Sequence, residues 1–223
     1  MADMPLPKVL TLIGVQTGIF AALGLALWVF SGRPTSAFVT TSALEIGQGL
    51  ALAAALIATS AGLARLFPRY VEWLVRSQAS NYPFLKHGIS IPAIVFISLC
   101  AGVGEEALFR GGLQTLLADH IPISAATALA ALLFALIHFA KPLNSALIFA
   151  IGCLFGAIYW QTGSLLIVIT GHAVYDVYAL WSLQKEMHRL GVFDEPGSKT
   201  LPPDLAHETL TSDIHKNTTG EIP

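Results

Sequence analysis

Glu105, Glu106 and Arg110 stand close together in Gly104-Glu105-Glu106-Ala107-Leu108-Phe109-Arg110-Gly111, within a chain that otherwise avoids charge. Ile89 to Cys100 before them and Leu113 to Leu117 after them are largely apolar, so the cluster lies in a membrane-type segment. An ionisable group at that depth costs at least ~2.5–3.5 kcal/mol on insertion scales, which makes such residues functional candidates by default. On a helix Glu106 and Arg110 share a face, while Glu105 is turned roughly 100° away. The spacing predicts that Glu106 and Arg110 neutralise each other and leave Glu105 free for chemistry. The alternative is a structural ion pair that holds helices together.

Three further ionisable side chains fall inside apolar runs: His138, closing Phe134-Ala135-Leu136-Ile137-His138, and His172 with Asp176 in His-Ala-Val-Tyr-Asp. The four-residue spacing lets Asp176 accept an imidazole N–H and fix the ring's tautomer. Each of these has a structural reading by itself, but three separate apolar segments now carry acid–base groups. Hydrolysis of a peptide bond within a membrane needs a polarised water, a group to take its proton, and donors for the developing oxyanion. Glu105 suits the base, His138 the positioning of water, and His172 with Arg110 the positive charge. No Ser–His–Asp arrangement, Gly-x-Gly-Asp or His-Glu-x-x-His accompanies them.

The 223 residues are 54% hydrophobic and 12% charged, about half the charge of a soluble domain. The runs suit helices, without the ten-residue alternation of a membrane barrel. No basic stripe suits nucleic acid. Cys100 and Cys153 read as small core residues. The expected fold is an all-α polytopic bundle of six spans: Val9–Phe30, Leu44–Leu63, one beginning near Ile89, Ile121–Ala140, Ala146–Trp160 and Ser164–Leu183. Glu45 reads as interfacial. Residues 1–88 comprise two spans and a basic stretch, 89–183 a catalytic core, and 184–223 a polar tail, disordered from about Gly197.

Arg65 to Gly88 mixes Arg65, Arg69, Arg76 and Lys86 with Trp73 and tyrosines, as in an amphipathic segment lying on the membrane or a basic loop. Six spans gather these basic residues with Lys8, Lys141, Lys185 and Arg189 on one side, with Arg33 on the other. The positive-inside rule then puts both termini in the cytoplasm.

Glu105-Glu106-x-x-x-Arg110, Phe134-x-x-x-His138 and His172-x-x-x-Asp176, in this order on successive spans, resemble the three motifs of the CAAX protease and bacteriocin-processing family. Phe109-Arg110-Gly111 and Thr162-Gly163-Ser164 are also similar, and the resemblance covers about Ile89 to Leu183. It implies an intramembrane endopeptidase of the bacterial inner membrane, acting on a prenylated, bacteriocin-type or sorting-tagged substrate delivered by the lipid. Glu105 with His138 would activate water, Glu106 and Arg110 would shape the site, and His172 with Asp176 would complete its polar wall. The family often has Asn where Asp176 stands, and an ionised acid cannot donate to an oxyanion.

Family members are described both as glutamate-dependent hydrolases and as metalloproteases. No cofactor is the favoured expectation, because local metal-binding spacing is lacking, and Glu105, His138 and His172 are the ligands if zinc is used. A non-enzymatic immunity or partner-binding protein on the same scaffold, or an ion-coupled carrier, are the other classes. One geometrical conflict remains. In straight antiparallel spans Glu105 lies some 24 Å from the cytoplasmic start, while His138 lies close to that face. A helix must break or tilt, with Gly102, Gly104, Gly111 and Gly112 as the places for it, or the boundaries must move.

Overall fold

The computed structural model describes residues 4–138 and 141–194, and among these every regular element is helical. Residues as far as Val192 belong to one compact unit. Helix α1 spans Leu6–Phe30, with proline in its first turn, where the missing N–H has no intrahelical partner to lose. Helix α2, Ala43–Leu66, starts at Ser42, whose hydroxyl accepts the Leu44 N–H. Glu45 lies in its first turn, where its charge suits the helix dipole, and accepts a 2.8 Å hydrogen bond from Thr40. Helix α3, Pro68–Gln78, follows Phe67 directly.

Helix α4, Ile91–Glu106, passes without interruption into a π-helical turn, Ala107–Gln114, and then into α5, Thr115–Ala118. Helix α6 is Ile123–Leu136, and α7, Pro142–Thr162, stops at Gly163, whose φ of 66° is the left-handed conformation that glycine adopts freely. Ser164 caps α8, Leu165–Arg189, by accepting the Ile167 N–H.

Five of these helices, α1, α2, the Ile91–Ala118 run, α7 and α8, are long and apolar enough to cross a membrane. The expected fourth span, Ile121–Ala140, is shorter than its apolar run. Helix α6 has 14 residues, about 21 Å at 1.5 Å each, against a ~30 Å hydrocarbon layer. Its end has a local cause. The His138 ring donates to the Phe134 carbonyl at 2.7 Å, the acceptor its own backbone N–H would use, and that N–H turns instead to Ala135 at 3.3 Å. Gln184 to Arg189, expected to open the polar tail, continue α8; the stretch from Gly197 lies outside the described residues.

Packing is close because the buried faces are small. A Cβ on Gly24 would lie 2.1 Å from the Ala107 carbonyl oxygen, so α1 meets the π-turn backbone against backbone. A Cβ on Gly49 would lie 2.5 Å from Thr170, and one on Gly102 would lie 2.9 Å from Ala173, bringing α2 and α4 onto α8. Leu12, Val15, Ile19 and Leu23 form an exposed stripe on α1, as a lipid-facing surface requires. Arg33 ties the first loop to Asp119 after α5 at one end of the bundle. At the other end the Ile89 N–H donates to Gln184 at 2.8 Å and His188 donates to the Leu85 carbonyl at 2.9 Å. The basic stretch is thus an amphipathic helix at this second end, with Tyr70 and Trp73 stacked at 5.9 Å.

Candidate active site

The departure from α-geometry falls beside the acidic pair. Glu105 and Glu106 end α4, and the π-turn holds Arg110 and Gly111-Gly112, two of the expected break positions. A π-turn bonds i to i+5 and so takes up one more residue per hydrogen-bonded ring than an α-helix. The Thr115 hydroxyl reinforces that reach by donating to the Arg110 carbonyl, five residues back, at 2.9 Å. A Cβ on Gly112 would lie 2.8 Å from the Gly24 Cα, so no larger residue fits this crossing without movement.

Glu106 and Arg110 are 0% and 1% exposed, and the Glu106 Oε2 to Arg110 Nε distance is 3.1 Å. This contact is close in distance but lacks hydrogen-bond angles, since Glu106 Oε2 makes no hydrogen bond among the described residues. Arg110 is held otherwise. Its Nη2 donates to the Gly152 carbonyl at 3.1 Å, and its guanidinium carbon lies 4.7 Å from the centre of the Phe134 ring. Gln114 donates to the Gly156 carbonyl at 2.9 Å, so two side chains of the π-turn grip α7 where glycines bare its backbone.

Glu106 has a second partner that sequence spacing did not suggest. His172 Nδ1, 66 positions away in the chain, donates to Glu106 Oε1 at 2.7 Å. The other ring nitrogen, Nε2, is 3.4 Å from Asp176 and 3.8 Å from Glu105. The imidazole thus faces Asp176, as the spacing suggests, and has Glu106 as a closer partner. The short bond runs to Glu106, a rigid and fully buried acceptor, whereas the Asp176 side chain is 32% exposed.

Glu105, His138, His172 and Asp176 line one cavity of about 500 Å³. The depth conflict disappears because α6 stops early and its last turn brings His138 to that cavity, with the Phe134 ring 4.7 Å from one imidazole and 6.3 Å from the other. Along α8 the cavity follows His172 to Leu183, eleven residues or about 16 Å of rise. Glu106 and Arg110 stand outside its lining. The Arg110 guanidinium lies over the Phe134 and Phe155 rings, which separate its charge from the cavity.

Several lining residues escaped sequence reasoning: Gln16 and Thr17 of α1, Ser98 of α4, Asn144 of α7, and Tyr82. Asn144 is 2% exposed and donates to Ser77 of α3 at 3.1 Å. An uncharged polar residue amid apolar runs, such as Asn144, was the available signal; the rest required the tertiary fold. Zinc would need a convergent set of protein ligands. Among the described residues no three His, Cys, Asp or Glu side chains form such a group, and both nitrogens of His172 face carboxylates.

Residues 87–178 match the family model for type II CAAX prenyl endopeptidases, Rce1-like. Over 109 residues the chain is 37% identical to an uncharacterised protein of Bacillus subtilis (strain 168), YpbD, covering 48% of this chain and 53% of that protein. The chain therefore spans about half the length of this curated relative. No solved structure matches it significantly. The family segment contains all six ionisable residues of the three motifs.

Proposed function

From the match of residues 87–178 to the CAAX endopeptidase family model, we propose that this protein is an intramembrane endopeptidase that uses Glu105 to activate water. The observation that carries the reading is the convergence of Glu105, His138, His172 and Asp176 on one largely apolar cavity inside the bundle. The substrate class is a membrane-associated peptide or protein of prenylated, bacteriocin or sorting-tagged type. Lipid delivers it, and the cavity accepts its extended segment.

The chemistry follows from which atoms donate and which accept. His138 gives its Nδ1 proton to the Phe134 carbonyl, so the neutral ring presents Nε2 as an acceptor. A water held between that nitrogen and the Glu105 carboxylate attacks the scissile carbonyl carbon as Glu105 takes its proton. The same proton then passes to the amine as the C–N bond breaks. His172, locked through Nδ1 by Glu106, keeps Nε2 between Glu105 and Asp176. With a second proton on that ring, His172, the three carboxylates and Arg110 sum to a net charge of −1. The mechanism needs no metal.

The site belongs to the bacterial inner membrane, with both termini cytoplasmic. The pairing of Arg33 with Asp119 at the opposite end from Leu85 and His188 supports that topology. Reporters fused at Ser36 and Pro223 should report opposite compartments.

The deciding experiment compares Glu105→Gln with Glu106→Gln in detergent-purified protein, using a lipidated peptide. Glu105→Gln should fold with an unchanged Tm and lose ~10²–10⁴-fold in kcat. A folded Glu105→Gln protein that cleaves at the wild-type rate would remove Glu105 as the base.

A further inference from the structure

The donors and acceptors of the cavity do not balance. Glu105, Asp176 and the neutral His138 Nε2 all accept, and His172 directs both nitrogens at carboxylates. Arg110 lies behind Phe134 and Phe155. The other polar lining groups are engaged or turned outward: Tyr175 shares a 3.0 Å bond with Ser60, the Asn144 amide donates to Ser77, the Thr17 hydroxyl meets the Ile13 and Cys100 carbonyls, Gln78 pairs with Asn81, and Gln16 is exposed on α1. Among the described residues the Ser98 hydroxyl has no hydrogen-bond partner, but it precedes Glu105 by seven residues on the same helix, about 10.5 Å of rise, too far to serve a carbonyl beside it. Yet a tetrahedral intermediate needs a donor aimed at its oxygen.

Tyr82 meets that need. It lies between α3 and α4, outside the spans, and its side chain reaches the same cavity as Glu105 and Asp176. Its hydroxyl has no hydrogen-bond partner among the described residues, and its ring packs edge-on to Phe84 at 5.9 Å. Burial, together with the charges of Asp176 and Glu105, pushes the phenol up to about 12, so it keeps its proton throughout the working pH range. Both carboxylates thus act on the phenol across the cavity.

We propose that Tyr82 is a catalytic residue, whose hydroxyl donates the hydrogen bond to the oxyanion when Glu105 delivers water to the scissile carbonyl. In that step the water oxygen bonds to carbon, the carbonyl π pair moves onto oxygen, and the water proton goes to Glu105. Tyr82 keeps its own proton throughout. The assignment rests on the endopeptidase reading above.

Tyr82→Phe removes one oxygen and keeps the ring against Phe84. On a lipidated peptide, kcat should fall ~10²–10³-fold, with KM and Tm close to wild type. A peptidyl phosphinate, with tetrahedral oxygens that mimic the intermediate, should bind the variant about 10²-fold more weakly. The uncleaved peptide should bind Glu105→Gln and the Glu105→Gln/Tyr82→Phe double variant equally. A Tyr82→Phe enzyme with kcat within threefold of wild type, or with only KM raised, would overturn the assignment. If in that experiment Glu105→Gln is still inactive, the endopeptidase reading stands without Tyr82. If the wild-type protein cleaves no membrane peptide, that reading fails and the assignment falls with it.

Discussion

Two of the arginine–carboxylate pairs in this molecule, Arg33 with Asp119 and Arg110 with Glu106, differ in nearly every respect. Arg33 and Asp119 make a two-pronged contact at 2.7 and 2.8 Å at the end of the bundle, with side chains 33% and 34% exposed. Arg110 and Glu106 approach to 3.1 Å without hydrogen-bond angles, at 1% and 0% exposure. The better geometry belongs to the pair that matters less. Water solvates the surface charges whether or not they meet, so an exposed pair contributes about 0–1 kcal/mol. In the interior no solvent replaces a lost partner, and an imperfect contact becomes indispensable. Geometry measures the bond; burial measures the cost of losing it.

The largest expected effect is at the buried pair. Glu106→Gln strands Arg110 and replaces the charged acceptor that orients His172 with a neutral amide, so unfolding in detergent should show a loss of about 3–5 kcal/mol, with activity lost as well. A fully stable Glu106→Gln protein would break the contrast. Next comes Arg110→Lys, which keeps the charge but lacks the planar fork that reaches Gly152 and covers Phe134. It should cost about 2 kcal/mol by the same assay, within the range for a charged hydrogen bond.

Asp119→Asn should cost under about 1 kcal/mol at low salt, and high salt should abolish the difference. Its pH dependence has a definite sign. Arg33 holds the Asp119 carboxyl below the ordinary carboxylate value, chiefly through their hydrogen bond. The contribution is therefore complete above that ordinary value, about 3.9, and lost as pH falls through the lowered one. Wild type and Asp119→Asn should have matching Tm values in strong acid and differ at neutral pH. The smallest effect is that of a chelator. Excess EDTA should leave Tm and cleavage unchanged, and losses restored by zinc would turn the buried cluster into a metal centre.

Much of this contrast was legible along the chain. Apolar length marked the long helices, and the four-residue spacing of Glu106 and Arg110 announced their proximity. His172 and Glu106 were not legible as partners, because 66 residues separate them and only the docking of α8 on α4 joins them. The end of α6 was hidden for another reason: Ile137 is as apolar as the helix before it, and the turn depends on one side-chain bond from His138. Tyr82 read only as part of an amphipathic segment lying on the membrane or of a basic loop. Its place in the lining of the cavity that Glu105 also lines follows the Pro83–Leu85 turn after α3.

The π-turn at Ala107–Gln114 also bears on which changes of length the chain can tolerate. Deleting one residue there would let Ile91–Ala118 close into an unbroken α-helix, a gain in local regularity. Everything beyond the deletion would rotate by roughly 100° and shift about 1.5 Å along the axis. Gln114 would leave the Gly156 carbonyl, and Thr115 would lose its 3.1 Å contact with Tyr159. Such a shortened chain should remain helical and membrane-inserted yet inactive, whereas the same deletion in the exposed Thr35–Ala37 turn should be tolerated. At this one point along its membrane helices, a more ideal helix is the more damaging change.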